Sequence, residues 1–437
     1  MDIAGKKITV IGGKRSGVAL ARLIIRLNGI ARVSEQGGQE NFTGEFRKWV
    51  RQHDVALEYG GHTQDFMGDS DLIVLSPGVR FDAPVVQWAE HKDIPILGEI
   101  EFAAQFCPKP MIAVTGSNGK TTVSTLIASM LQKAGYRTCL CGNVGFPFSD
   151  FVLHLNEMDF VVLEISSFQM ESLLDAASKF KKPVANGRWQ VKGFKPRIAV
   201  ILNFSENHLD RHKDLNEYLC AKKKIFSNQD EHDFLVLNYA DPYLKGLSTQ
   251  ARSRTVYFNM SGDDVITKNP NLQAVLAVGK ILGIHENLCQ EVFASFQGVE
   301  HRLEKVRTLS GVDFVNDSKA TTAQAALWAL NSIDRPIVMI CGGRDKNIDF
   351  SVLAKRVQEK VKKMYVIGEA RGKICKAFGH LISLEVCEGL QEAVVKAREY
   401  ASPGDSVLLS PMCASFDMFK DFEERGRVFK EIVNRLK

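Results

Sequence analysis

Between Met111 and Thr122 the chain reads MIAVTGSNGKTT, a combination of residue types suited to phosphate chemistry. The apolar run Met111 to Val114 predicts a buried strand, and the run VSTLIASMLQKAG after Thr122 predicts a helix. Between them lies Gly116-Ser117-Asn118-Gly119-Lys120-Thr121-Thr122. Glycines let backbone N–H groups approach phosphate oxygens, and the helix N-terminus adds its positive dipole end. Lys120 is placed for a terminal phosphate, and the Thr121 hydroxyl for a magnesium ion. The spacing is tighter than the general G-x-x-x-x-G-K-[ST] form, because Thr115 stands directly before Gly116. A plain glycine turn followed by a chance Lys-Thr would not explain a strand before it and a helix after it, so the stretch reads as nucleotide-binding.

Three further positions carry chemistry. DFVVLEISSFQ is an apolar strand ending at Glu164, and strand-end carboxylates in nucleotide-binding sheets commonly face the metal. The strand RIAVILNFS opens into Glu206-Asn207-His208-Leu209-Asp210-Arg211-His212, a polar loop at another strand end. An isolated loop histidine such as His208 is ordinarily a satisfied surface residue. Lys222, Lys223 and Lys224 ordinarily form a solvated helix face, and for the last two that reading stands.

Near the N-terminus, the strand KKITVI turns through Gly12-Gly13-Lys14-Arg15-Ser16-Gly17 into the helix VALARLIIRLNG, and ARVSE ends a second strand at Glu35. This opens a dinucleotide-type α/β unit, with an acidic residue about 20 positions after the glycines. The fingerprint is broken, because Lys14 stands where the second glycine of G-x-G-x-x-G belongs. A loop offering Lys14, Arg15 and Ser16 suits a charged phosphate ligand without a nicotinamide, which argues against a dehydrogenase. DLIVLSPGV runs a strand into Ser76-Pro77-Gly78, at the strand end where α/β ligands sit; taken alone, that tripeptide is a simple turn.

Length and composition frame these elements. At 437 residues, roughly three domains of ~150 are expected. Hydrophobic content of 45% and charged content of 24% are those of a soluble globular protein. The net charge of +5 is mild and no Lys/Arg block dominates, so no nucleic-acid partner is implied. Nine cysteines without a C-x-x-C pair point to a reducing cytosol, and neither a signal peptide nor an apolar run of ~18 residues is present. After residue 303, DFVND, PIVMICGG, KMYVIG, HLISLEV and DSVLLSP alternate with helical stretches, predicting a second doubly wound domain without a phosphate loop.

TGSNGKTT, GNVG, EISSFQ, the N-x-x-x-N-H-L-D-R-H loop, GVEHRLE, NDSKATT, GGRDKNIDF and LLSPMCASFDMFKDFEERG occur in this order, nearly end to end. The set resembles the Mur ligases of peptidoglycan synthesis, and EISSFQ with SPMCASFDMFKDFEERG is similar to the D-glutamate-adding branch. The alanine-adding branch is expected to carry a histidine where Asn118 stands. The resemblance implies an α/β protein of three domains. These are a Rossmann-like domain for the UDP substrate (1–99), a central P-loop ATPase domain with a mostly parallel sheet (100–303), and a Rossmann-like amino-acid domain (304–437).

It further implies an ATP-dependent ligase, monomeric and cytoplasmic, that joins D-glutamate to UDP-N-acetylmuramoyl-L-alanine through an acyl phosphate. Lys120 and the loop Gly116–Thr122 would hold ATP, with Asn271, His301, Arg302, Asp317 and Lys319. Thr121, Glu164, His208 and Lys222 would serve two magnesium ions, Lys222 as a carbamate. Lys14, Arg15, Ser16, Glu35, Ser76, Pro77, Gly78 and Asn143 would meet the UDP substrate, and Thr321, Lys346, Ser415, Phe416 and Phe422 the D-glutamate. Individually, Phe416 and Phe422 read equally well as core. A ligase for another amino acid, a folylpolyglutamate synthase and a non-catalytic nucleotide-binding paralogue are the rivals; Lys120, Glu164, His208 and Lys222 are all present, which disfavours the last.

Two features depart from the family pattern. The stretch 175–193, rich in Lys, Gly and Pro, reads as an inserted surface loop. The family's H-N-x-x-N element keeps its last member in Asn271, but Thr267 and Lys268 replace the His-Asn pair, with Asn269 as a possible substitute in the adenine contact.

Overall fold

The structure, a computed structural model, describes residues 1–174, 191–205, 213–260, 267–296, 298–345 and 348–437. They fall into two compact units, residues 1–296 and 297–437. The α/β architecture expected from the sequence is present as three sheets, two in the first unit and one in the second.

The first sheet contains β1 (Lys7–Ile11), β2 (Ile30–Glu35), β3 (Ala56–Tyr59), β4 (Leu72–Leu75) and β5 (Ile96–Gly98), all parallel, in the order β3-β2-β1-β4-β5. The chain moves outward from β1 in one direction and then crosses to β4 on its other side. A crevice therefore opens beyond the carboxyl ends of these strands, the usual ligand position in such sheets.

The second sheet contains β6 (Met111–Thr115), β7 (Thr138–Gly142), β8 (Phe160–Glu164), β9 (Ile198–Ile201), β10 (Phe234–Asn238) and β11 (Arg254–Phe258). It is also parallel, in the order β11-β10-β9-β6-β8-β7. Every residue of β6 and β9 is buried, as unbroken apolar runs require in a parallel sheet covered on both faces. The strand order again reverses at β6, which puts the glycine loop at the centre of the carboxyl edge. Val114 is in register with Glu164 and with Val200, so three strand ends meet there.

The third sheet contains β12 (Glu304–Leu309), β13 (Val312–Asn316), β14 (Ile337–Gly342), β15 (Val361–Ile367), β16 (Ser383–Val386) and β17 (Ser406–Leu409), in the order β12-β13-β17-β14-β15-β16. It departs from a purely parallel sheet at one edge, where β12 runs antiparallel to β13. Ser310 and Gly311 join them with φ of 51° and 78°, the positive pair of a tight type I′ hairpin turn. Residues 191–193, the described end of the stretch read as an insertion, are tied down, with Lys192 exchanging hydrogen bonds with the Gln105 side chain at 2.9 and 2.7 Å.

The helix Glu99–Ala104 joins the first two sheets, which share one apolar cluster. It buries two carboxyl groups. Glu99 Oε1 accepts from the Ser149 N–H and hydroxyl at 2.9 and 2.7 Å, and Glu101 Oε2 accepts from Leu174 N–H at 2.8 Å. The other oxygen of each is buried without a hydrogen-bond partner among the described residues. Burial raises both groups, Glu101 to about 8, so Glu101 folds protonated at neutral pH. A raised carboxyl binds its proton more tightly in the fold than in the unfolded chain. Its contribution is therefore complete below about pH 4 and is lost as pH rises towards 8. Glu101→Gln keeps the shape without the proton. Its urea-unfolding free energy should fall less steeply between pH 5 and 8 than the wild type's, by up to about 1.4 kcal/mol per pH unit; equal slopes would refute a buried neutral Glu101.

Candidate active site

Gly116 has φ 158° and Gly119 has φ 82°, and both are crowded. A Cβ on Gly116 would lie 3.0 Å from Leu202 Cβ, and one on Gly119 would lie 2.5 Å from Asn271 Oδ1. Side chains and backbone of the β9 exit then brace the loop. Ser117 N–H donates to Asn203 O at 3.1 Å and Asn118 N–H to Asn203 Oδ1 at 2.8 Å, while Asn203 Nδ2 donates back to Asn118 O at 3.1 Å. Lys120, the first residue of the helix Lys120–Lys133, folds back over the loop and donates to Gly116 O at 2.7 Å and Ser117 O at 3.1 Å. A phosphate entering the loop gives that ammonium a stronger, charge-assisted partner.

Glu164 ends β8 with 1% of its surface exposed. Asn143 Nδ2 donates to Glu164 Oε1 at 2.7 Å, and Asn143 N–H donates to Glu164 O at 2.8 Å. Gly142, with φ 102°, permits this approach, since a Cβ there would lie 2.4 Å from Glu164 O. Glu164 Oε2 is buried and has no hydrogen-bond partner among the described residues. A buried carboxylate oxygen of this kind fits a hard cation such as magnesium, and the buried Thr121 follows Lys120 in the first turn of the adjacent helix. His208, expected as a further ligand, lies outside the described residues.

Lys222 is fully buried near the end of the helix Leu215–Lys223, with Nζ 4.5 Å from the centre of the Tyr218 ring. Burial, and secondarily the positive charge of Lys120, push its amine well below the usual lysine range. Tyr218 is a residue that sequence reasoning missed. Its hydroxyl lies 3.2 Å from Ser117 Oγ, and its ring packs on Phe204, so it joins the lysine to the phosphate loop. The i,i+4 spacing of Tyr218 and Lys222 on one helix face was the available signal.

Asn271 lies beside Gly119, as the crowding there shows, whereas Asn269 caps the helix Pro270–Ile281 by accepting from Asn271 N–H at 3.0 Å. One lone pair of the Asn269 side-chain oxygen is thereby given to the helix end.

Over the first sheet lies a cavity of about 650 Å³ lined by Gly12, Lys14, Arg15, Ser16, Glu35 and the Ser76–Arg80 turn, among others. The sequence-predicted residues meet here, but two are used differently than a ligand list implies. Glu35 braces the turn, accepting from Gly13 N–H at 2.5 Å and Gly37 N–H at 3.0 Å. Arg15 reaches out of the first sheet's loop to donate to Gly145 O, with its guanidinium 5.3 Å from the Phe146 ring centre. It thereby touches the loop that carries Asn143.

In the second unit, Asp317, Lys319 and Thr321 follow β13, and Ser410 and Ser415 follow β17. Asp317 Oδ1 accepts from Leu303 N–H at 3.2 Å and Oδ2 from the Ser410 hydroxyl at 2.9 Å; burial raises its carboxyl to about 7. Lys319 lies over the Phe422 ring at 5.6 Å. His301 is buried with φ 63°, its Nδ1 2.9 Å from Asn316 Nδ2 and its ring against Gly426. Its adjacent Arg302 is half-buried, Ser415 is buried, and Phe416 is 57% exposed rather than core. Arg425, also missed, is buried and donates to Ser318 Oγ, Ser318 O and Cys413 O at 2.9–3.2 Å, tying the two loops together. Lys346 lies outside the described residues.

Three family models match the chain in succession: Mur ligase MurD-like, N-terminal domain at residues 6–98; Mur ligase middle domain at 114–298; and Mur ligase, glutamate ligase domain at 301–413. The UDP-N-acetylmuramoylalanine--D-glutamate ligase of Chloroherpeton thalassium is 36% identical, covering 100% of this chain and 99% of that one. The protein of the same name from Thermoanaerobacter sp. is 37% identical over 100% of both chains. Among solved structures, the UDP-N-acetylmuramate-alanine ligase of Thermotoga maritima superposes with a TM-score of 0.59 at 19% identity, covering 99% of this chain and 100% of that one. A MurF ligase of the same organism, in complex with ADP, gives 0.59 at 16% identity, covering 93% and 96%. At such identities these two speak for the fold.

The crowding at Gly119 yields a direct test. Gly119→Ala combines a positive φ with a Cβ against Asn271, a conflict of about 1–3 kcal/mol. Binding of a fluorescent ATP analogue should weaken at least about tenfold, which titration would measure; unchanged affinity would show that the loop tolerates a side chain and does not cradle phosphate.

Proposed function

The chain belongs to the Mur ligase family, and from that premise we propose that it is the ATP-dependent ligase that adds D-glutamate to UDP-N-acetylmuramoyl-L-alanine in peptidoglycan precursor synthesis. The observation that carries the site assignment is the convergence, at the carboxyl edge of the second sheet, of Lys120, the buried Lys222 and a Glu164 oxygen that has no hydrogen-bond partner among the described residues. Full-length similarity to D-glutamate ligases supports the choice of amino acid.

In the reaction, the substrate carboxylate attacks the γ-phosphorus of ATP, releasing ADP and leaving an acyl phosphate. The amine of D-glutamate then attacks the acyl carbon, and the tetrahedral adduct collapses to the amide and inorganic phosphate. Both carboxylate and triphosphate are anions, so the first step needs positive charge placed in advance. Lys120 leaves the loop carbonyls for the phosphates, and backbone N–H groups of the loop hold the rest. Asn143 keeps the Glu164 carboxylate oriented. Magnesium, held by Thr121, Glu164 and His208, supplies charge neutralisation of the phosphates when bound.

Lys222 is the residue whose state the chemistry changes most. Its desolvated amine is nucleophilic towards carbon dioxide, and the resulting carbamate is an anion suited to a metal-lined site. The cavity over the first sheet takes the UDP portion, with phosphates at Lys14 and Ser16 near the N-terminus of the helix Arg15–Arg26 and with the Ser76-Pro77-Gly78 turn as a wall. In the second unit, Thr321, Lys346, Ser415, Phe416 and Phe422 receive D-glutamate and His301, Arg302, Asp317 and Lys319 serve ATP, as does Asn271 of the first unit; His301 and Asp317 act chiefly by holding the loop ends. The domain division at residues 99 and 303, a monomeric state and a cytoplasmic location complete this reading. No helix among the described residues is long and apolar enough to cross a membrane.

ADP release with UDP-N-acetylmuramoyl-L-alanine should require D-glutamate and fail with L-glutamate or L-alanine. Release independent of the amino acid, or preference for L-alanine, would sink the assignment. Lys222→Ala should lose on the order of 10²-fold in kcat or more, with partial recovery on adding acetate or formate; full activity in that variant would remove the carbamate from the mechanism.

A further inference from the structure

The cavity over the first sheet contains a ring nitrogen that neither the phosphate turn nor the ligation chemistry uses. His62 lies just past β3, lining the cavity beside Glu35, Gln36 and Gly61. Its Nδ1 is 2.7 Å from the Ser34 hydroxyl. The same hydroxyl is 2.6 Å from Glu58 Oε2 and 3.2 Å from Gly61 O. Both of those oxygens accept. The Glu58 carboxylate also receives Thr63 N–H at 3.1 and 3.2 Å and the Thr63 hydroxyl.

A serine hydroxyl has one proton and two lone pairs. With its proton given to an oxygen, Ser34 can meet His62 only as an acceptor, so Nδ1 must carry the hydrogen and donate. Burial holds the imidazole below the ordinary histidine range despite the nearby Glu58 and Glu35 carboxylates, so the ring has a single proton. Nε2 is then a bare lone pair. No described residue hydrogen-bonds it, and the network behind it fixes the tautomer.

We propose that His62 Nε2 reads the nucleobase in this cavity, accepting a hydrogen bond from a pyrimidine ring N–H and so selecting uracil over cytosine. Uracil carries a hydrogen on N3, whereas cytosine presents a lone pair at that position, which would face the Nε2 lone pair. The layout suits this: the phosphate-binding turn Gly12–Ser16 follows β1, and His62, Glu35 and Gln36 stand beyond β3 and β2, so a nucleotide with its phosphates at the turn extends its base towards them. The inference rests on the reading that this cavity takes the UDP portion of the substrate, and adds which atom identifies the base.

Calorimetric titration of the full chain with UDP, CDP and the diphosphate of 3-methyluridine tests it. The wild type should bind UDP at least about 30-fold more tightly than either analogue, because each leaves Nε2 unpaired. His62→Ala should weaken UDP about tenfold or more while barely changing CDP, bringing the ratio near unity, and ATP-analogue binding by the same preparation reports that the unit is folded. Equal wild-type affinity for UDP and its 3-methyl analogue would overturn the proposal without any variant. So would an undiminished UDP-to-CDP ratio in His62→Ala. Failure of the wild type to bind any of the three would bring down the reading of the cavity itself.

Discussion

Exclusion of water from two ionisable side chains at one sheet edge, beside a third that is half-buried, sets the terms for the rest of the first unit. Glu164, Lys222 and the half-buried Lys120 stand where strand ends β6, β8 and β9 converge. Removing a lone charge from water costs several kcal/mol, so each group needs a partner or must neutralise. Lys120 uses two loop carbonyls, Glu164 uses Asn143 for one oxygen only, and Lys222 is driven towards the neutral amine. Two of these are reactive: a carboxylate oxygen without a hydrogen-bond partner among the described residues, and a desolvated amine.

How much of this was legible in the sequence follows from how local each determinant is. The phosphate loop could be read because Gly116 and Gly119 answer to backbone geometry within seven residues. Glu164 could be read because an apolar strand stops on a charge. Tyr218 was legible only as a neighbour of Lys222 on one helix face; its link to the phosphate loop appears when its hydroxyl is seen against Ser117, 101 residues earlier. Arg425 reads as a solvated helix residue; only the fold brings Ser318 and Cys413 around it. His301 and Asn269 read from sequence as candidate nucleotide contacts, and their structural uses, with Asn316 and at a helix N-terminus, appear only in the fold. The β12–β13 hairpin was missed for a similar reason: an antiparallel edge strand leaves no mark in an otherwise regular β–α alternation.

The second unit treats buried charge in another way. Arg425 has no carboxylate partner among its hydrogen bonds; it donates only to a hydroxyl and two carbonyl oxygens, and burial lowers it to about 10, which still leaves it charged at neutral pH. The nearby Asp317, raised to about 7, is only partly ionised there. Arg425 thus holds the loop ends after β13 and β17 together through neutral acceptors, with Asp417 as the carboxylate whose field reaches it.

Replacing the second glycine of the dinucleotide fingerprint changes more than the ligand. Gly13 and Gly17 remain indispensable, since Cβ atoms there would meet Phe42 and the Gly12 carbonyl at 2.2 and 1.8 Å. With Lys14 and Arg15 between them, the turn gains two long cations, and Glu35, which in a nicotinamide-binding unit would meet a ribose, accepts from Gly13 N–H of the turn and from Gly37 N–H just past β2. Arg15 then crosses to Gly145 O, two residues from Asn143, whose side chain orients Glu164. The cavity over the first sheet and the carboxylate on the second are thus joined through one arginine and one short loop.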